Sequence, residues 1–173
     1  MSDTFIGIDP GLSGAVAVIR YQEVLEVHDL PVLTMLKTTK TKSGKFKKNN
    51  ELDIEEFFLM YKGILRSWRP KLVVIEAVHA MPGQGTVSMF NFGKVMGRIE
   101  GVIRTTGGTP LVYVEPSIWK KHHKLIKKGK DASVALCRLH YPSMTSTFMK
   151  SKDGRAEAVL LAEWGRYTYN ANM

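Results

Sequence analysis

Cysteine is almost missing from this chain. Cys137 stands alone among 173 residues, so an internal disulfide is impossible and a thiolate metal centre cannot be built. Long apolar runs are missing too: none approaches the roughly 20 residues that a helix needs to span a bilayer, and no membrane association is expected. The opening Met-Ser-Asp-Thr has neither the basic nor the apolar region of a secretory leader, which with the lone cysteine suggests a reducing, cytoplasmic setting. Acidic residues are the third shortage. Asp and Glu number 16 against 25 Lys and Arg, a net charge of +9, and such an excess favours a polyanionic partner, nucleic acid or an anionic surface. The excess is clustered: six lysines and no acid lie between Lys37 and Lys48, and six more lie between Lys120 and Lys130.

What is present is a core. With 44% hydrophobic residues, the length suits one domain, residues 1–173, carrying a Lys-rich insertion at about 37–50. Residues 5–8 and 15–19 are apolar runs on either side of Asp9, Pro10, Gly11 and Gly14, the pattern of a β-hairpin with an acid at its turn. Residues 23–30 read as a third strand. Residues 31–50 read as a solvated loop because of their lysines, and would become a phosphate-contacting arm if the fold sets them beside a cleft. Apolar residues then recur at helical spacing from Leu52 to Leu65, a helix that Pro70 stops. Residues 71–75 form an apolar strand ending in Glu76, the pattern of a strand buried on both faces.

A loop over residues 77–87 holds His79 and Gln84, and residues 88–106 follow as a helix in which Gly93, Gly97 and Gly101 make one stripe. That stripe suits close approach to another backbone, either the sheet or the same helix of a second copy. Residues 110–114 read as a fifth strand. His122 and His123 lie among lysines that would repel a cation, so a nucleic-acid-facing surface is expected there rather than a metal site. Asp131 suits the N-cap of a helix running to Pro142. Residues 152–162 form an apolar helix on which Asp153 and Glu157, four apart, share one face.

This order of elements predicts an α/β fold with a mixed five-stranded sheet in the order 3-2-1-4-5, strands 1–3 antiparallel, and helices on both faces. Strands 1 and 4 are then neighbours, with Asp9 and Glu76 at the same end. A terminal helix crossing that end adds Asp153 and Glu157. Four carboxylates converging in one place repel one another unless divalent cations sit between them, and hard oxygen donors select Mg²⁺ or Mn²⁺ over zinc. Two such ions can activate a water and stabilise the leaving oxygen of a phosphodiester. Beside a basic surface, the expected reaction is nucleic-acid hydrolysis.

Four motifs carry a resemblance: Gly7-Ile8-Asp9-Pro10-Gly11-Leu12-Ser13-Gly14, Val74-Ile75-Glu76, the segment from His79 to Gly85, and Asp153-Gly154-Arg155-Ala156-Glu157-Ala158. In order and spacing they resemble the RuvC family of Holliday junction resolvases, particularly its compact phage and bacterial members with a ribonuclease H-like fold. The resemblance implies that Asp9, Glu76, Asp153 and Glu157 are the catalytic, metal-binding acids, with two Mg²⁺ ions, replaceable by Mn²⁺, and no small-molecule cofactor. It implies a homodimer that cuts branched DNA, with the helix after Glu76 at or near the subunit interface. DNA contacts are expected from Gly11 and Ser13, from His79 and Gln84, and from Lys120, Lys121, Lys127, Lys128 and Lys130. The last acid is Glu157 where many bacterial members have Asp, and it follows Asp153 by four residues where theirs follows by three.

Gly11 and Gly14 are expected to leave room for a phosphate backbone, so that bulkier residues at either position impair cutting more than folding. Three other functions fit parts of the pattern. A broader debranching nuclease would use the same acids on forks, flaps and three-way junctions. A non-catalytic DNA-binding protein explains the charge but not the carboxylates. An ATP-binding fold that opens on a similar hairpin needs two lobes, for which the chain is too short.

Overall fold

The computed structural model describes residues 3–77, 83, 85–129 and 131–171. Nearly continuous apolar runs make β1 (Thr4–Ile8) and β2 (Ala15–Arg20), and the more polar β3 (Glu23–Asp29) completes three strands paired antiparallel in sequence. The segment expected to be a loop forms two strands instead, β4 (Val32–Lys40) and β5 (Phe46–Leu52). Its lysine density hides an ordinary hairpin sequence. Val32, Leu33, Thr34, Thr38 and Thr39 favour strands, and Gly44 supplies the positive φ (79°) of a turn closed by Thr41 N–H donating to Lys45 O at 2.7 Å. This ribbon is a separate two-stranded sheet.

Helix α1 (Ile54–Trp68) follows, its first turn capped by Asp53, whose carboxylate accepts from Glu56 N–H. Then come β6 (Leu72–Glu76), α2 (Thr86–Thr106), β7 (Leu111–Val114), α3 (Pro116–His122), α4 (Asp131–His140) and α5 (Asp153–Ala171). Asp131 opens α4 and pairs with Lys150. The main sheet runs β3-β2-β1-β6-β7, with β6 parallel to both β1 and β7. The expected order therefore differs in detail. Two ribbon strands intervene in the chain, so the strands expected as fourth and fifth are β6 and β7.

Alternation along the central strands sorts the core into two layers. Ile6, Ile8, Val73 and Ile75 face α1 and α2, while Phe5, Leu72 and Val74 face α5 with α3 and α4. Small residues let α5 lie close to the sheet: a Cβ on Gly7 would stand 2.0 Å from Ala158 O, and one on Gly165 would stand 2.4 Å from Val74 Cγ2. Among the described residues no helix is long and apolar enough to cross a membrane.

Candidate active site

Strand parity decides where the first two acids point. Asp9 is two residues beyond Gly7 and four beyond Phe5, and Glu76 is two beyond Val74, so both continue the rows that face α5. In the parallel pairing of β1 with β6, Ile8 sits opposite Ile75. Asp9 and Glu76 are thus the next residues at the same end of strands about 4.8 Å apart. The start of α5 closes this end. A Cβ on Gly154 would lie 2.7 Å from Asp9 Oδ2 and equally close to Ser13 O, so the first turn of α5 rests directly on the Asp9 carboxylate. Asp153 and Glu157 flank that contact one turn apart.

The carboxylates influence one another. Asp9 is pushed up to about 7, first by burial and then by repulsion from Glu157, with smaller effects of Glu76 and Asp153; only the Gly11 N–H, 3.3 Å from Oδ1, favours its charged form. Burial also raises Glu157, whose neighbour Lys120 opposes the shift while Glu76 and Asp153 reinforce it. Lys120 Nζ is 3.7 Å from Glu157 Oε1, and Ser133 Oγ donates to the same oxygen at 3.3 Å. The fully buried Trp119 holds Glu76 by donating from Nε1 to Oε1 at 2.9 Å. A cavity of about 210 Å³ opens beside these groups, lined by Lys120, Lys128, Ser133, Asp153 and Glu157 among others.

These donors suit a hard divalent cation in chemistry and charge, because their mutual repulsion is what such an ion relieves. They are not closed into a cage: among the described residues no three acids, histidines or thiols are close enough together to hold a metal ion as their side chains stand.

Of the expected DNA contacts, Ser13 is exposed and Gly11 half-buried beside Asp9, Lys120 and Lys128 line the cavity, and Lys121 and Lys127 are exposed outside its lining. His79, Gln84 and Lys130 lie outside the described residues. The histidine pair is divided. His123 turns inward, its Nε2 donating to Leu160 O at 2.8 Å, whereas the exposed His122 lies against Tyr167.

The glycines of the turn also divide. A Cβ on Gly11 would meet nothing nearer than Asp9 Oδ1 at 3.7 Å, but one on Gly14 would lie 2.1 Å from Asp9 O. Gly14 is therefore required by the backbone packing, contrary to the expectation that both serve cutting more than folding. On α2, a Cβ on Gly93, Gly97 or Gly101 meets nothing within 4 Å among the described residues, so their stripe does not approach the chain's own sheet.

Sequence reasoning missed three supports of the site: Trp119, Ser133, and an ion-pair clamp between Asp29 and Arg155. The sequence signal for the last was Arg155 itself, a cation set between two acids on an otherwise apolar helix.

No protein-family model matches the chain. It is 28% identical over 153 residues to the chloroplastic Holliday junction resolvase MOC1 of Chlamydomonas reinhardtii, a match covering 80% of this chain and 17% of that protein. The chain thus spans about a sixth of that relative's length. Among solved structures it resembles RuvC of Thermus thermophilus in complex with a Holliday junction substrate, with a TM-score of 0.59 at 15% identity over 98% of this chain and 96% of that one. A second Thermus thermophilus RuvC structure gives 0.53 at 13% identity, over 97% and 96% of the two chains. The yeast mitochondrial resolvase Ydc2 gives 0.50 at 13%, over 97% and 80%. The chain has the RuvC-type α/β fold.

Proposed function

We propose that this chain is a metal-dependent, structure-selective DNA endonuclease that resolves four-way junctions. The observation that carries the proposal is the meeting of Asp9, at the end of β1, with the first turn of α5, where Asp153 and Glu157 bring further negative charge against a carboxylate already displaced to about 7. The curated relative is a Holliday junction resolvase, and one similar structure holds a Holliday junction substrate; both support the choice of substrate.

Asp9, Glu76, Asp153 and Glu157 would hold two Mg²⁺ ions, with Mn²⁺ as a substitute. When bound, they supply an activated water and neutralise charge on the leaving oxygen. The protein's own groups do the rest. Trp119 and Ser133 fix the orientation of Glu76 and Glu157, and Lys120 sets a positive charge beside Glu157 where a phosphate can approach. Homodimerisation is supported by the glycine stripe of α2, where an added Cβ would meet nothing within 4 Å among the described residues.

The test incubates synthetic four-way, three-way, flap and linear duplex DNA with the protein and Mg²⁺, beside Asp9→Asn. Paired nicks in the four-way junction are expected from the unmutated chain alone. Junction binding without cutting would overturn the enzyme, equal cutting by Asp9→Asn would overturn the site, and equal cutting of flaps would broaden the substrate to branched DNA in general.

A further inference from the structure

About nine residues further along α5, roughly 13 Å from Glu157 at 1.5 Å per residue, a larger cavity of about 540 Å³ opens away from the four acids. Its lining carries two permanent cations, Lys124 and Arg166, and one carboxylate, Glu163. That carboxylate is already engaged. Tyr141 donates its hydroxyl to Glu163 Oε1 at 2.6 Å, and the Nδ1 atoms of His140 and His123 lie 3.3 and 3.7 Å from its oxygens. Arg166 gains nothing from it through Nε, which is buried and is, among the described residues, the one buried side-chain polar atom without a hydrogen-bond partner. Nε has almost no solvent-accessible surface, so an acceptor entering the cavity would meet the rest of the Arg166 guanidinium.

Two further features define what that acceptor belongs to. Lys124 is exposed and brought to the rim by a left-handed backbone with φ of 57°, a conformation uncommon outside glycine. In the same lining, His122 and the exposed Tyr167 stand with ring centroids 4.6 Å apart and form an aromatic wall. Cations beside an aromatic wall are the combination that takes a phosphate and a flat ring together. The volume lies within the range of small-molecule sites, about 300–1,000 Å³, and is far more than a bare phosphate fills.

We propose that this cavity is a nucleoside-phosphate site separate from the candidate active site, with the phosphate on Arg166 and Lys124 and the base against His122 and Tyr167. The same chemistry is offered by a free nucleotide and by the end of a nucleic-acid strand.

The test is a titration of the full chain in EDTA with a deoxynucleoside 5′-monophosphate, with inorganic phosphate, and with a short 5′-phosphorylated single strand. The histidine ring signals are followed by NMR, with His28 as an internal control. Saturable shifts of His122 and His140 are expected, with a dissociation constant below about 1 mM, and Arg166→Gln and Lys124→Gln should each weaken binding about tenfold. Lys124 is exposed, so its variant keeps the fold even if Arg166→Gln does not. Saturation by the free nucleotide alone identifies a nucleotide as ligand, and saturation by the strand as well identifies a nucleic-acid end. Absence of saturable shifts, or an affinity unchanged by Lys124→Gln, overturns the site; equal binding of inorganic phosphate overturns the role of the aromatic wall. Neither metal nor a junction is needed, so failure here leaves the nuclease untouched, and failure of the nuclease leaves this site standing.

Discussion

At the scale of single residues, Asp9 concentrates the electrostatic stress of the molecule. Its folded-state value of about 7 exceeds the ordinary 3.8, so in metal-free protein the folded state keeps a proton that the unfolded state loses. Stability must then fall as pH rises from about 4 to about 7, and the penalty, at most about 4 kcal/mol, is complete above that window. Thermal melts in EDTA at pH 5 and pH 8 should show the fall. Asp9→Asn should flatten the dependence and melt higher than the unmutated protein at pH 8, and a lower melting temperature there would contradict the assignment. The neighbouring glycines give a second contrast. Gly14→Ala drives a methyl to 2.1 Å from Asp9 O and should cost about 1–3 kcal/mol or more, whereas Gly11→Ala finds ordinary contact distances and should melt within a few degrees of the parent. Circular dichroism melts of the two variants decide this.

At the scale of elements, the decisive one is α5, which carries two of the four acids but belongs to no strand register that would fix its position. Its first turn is instead tied to the end of β3. Arg155 donates from Nε and Nη2 to the two oxygens of Asp29, at 2.6 and 2.8 Å, and Lys152 pairs with the same carboxylate. These bonds, Arg155 foremost, hold Asp29 down to about 2. The value is depressed, so the contribution is present above about pH 4 and disappears as pH falls toward 2. Asp29→Asn should therefore lower the melting temperature at neutral pH, with a difference that narrows in acid. If the clamp positions Asp153 and Glu157, the variant should also cut junctions about 10- to 100-fold more slowly while binding them normally. A loss of stability with unchanged cutting would reduce the clamp to scaffolding.

Of this clamp only the odd placement of Arg155 was legible from the chain; its partner was not, because residues 126 apart in sequence meet only after folding. The strands and the acids at their ends were legible, since residues 4–8, 15–20 and 72–76 are nearly continuous apolar runs buried on both faces. The extension of α5 to Ala171 was not: beyond Ala162 its apolar face is built from Trp164 and Tyr169 among charged neighbours rather than from a continuous apolar run.

At the scale of the whole molecule, the excess of positive charge is placed rather than spread. The ribbon of β4 and β5 leaves the sheet just after Asp29, which pairs with Ala15 at the end of β2 nearest Asp9. Its root therefore lies at the same end of the molecule as the acids. Leu30 and Leu52 are buried at its root, and Glu51 anchors it to α2 through Lys94 and Arg98, both 2.8 Å away. The rest of β4 and most of β5 are exposed and pack on nothing in the core. An arm with a fixed root and a cationic outer length is suited to follow a phosphate backbone away from the point of cutting. Each lysine that neutralises a phosphate of duplex DNA adds about 0.9 to the slope of log affinity against log salt. Replacing Lys42, Lys45 and Lys47 together with Gln should leave the melting temperature unchanged and lower that slope by as much as about 2.7, with junction affinity falling most at low salt. Filter-binding isotherms of the triple variant from about 50 to 200 mM salt measure it, and a slope equal to that of the unmutated chain would remove the ribbon from the DNA-binding surface.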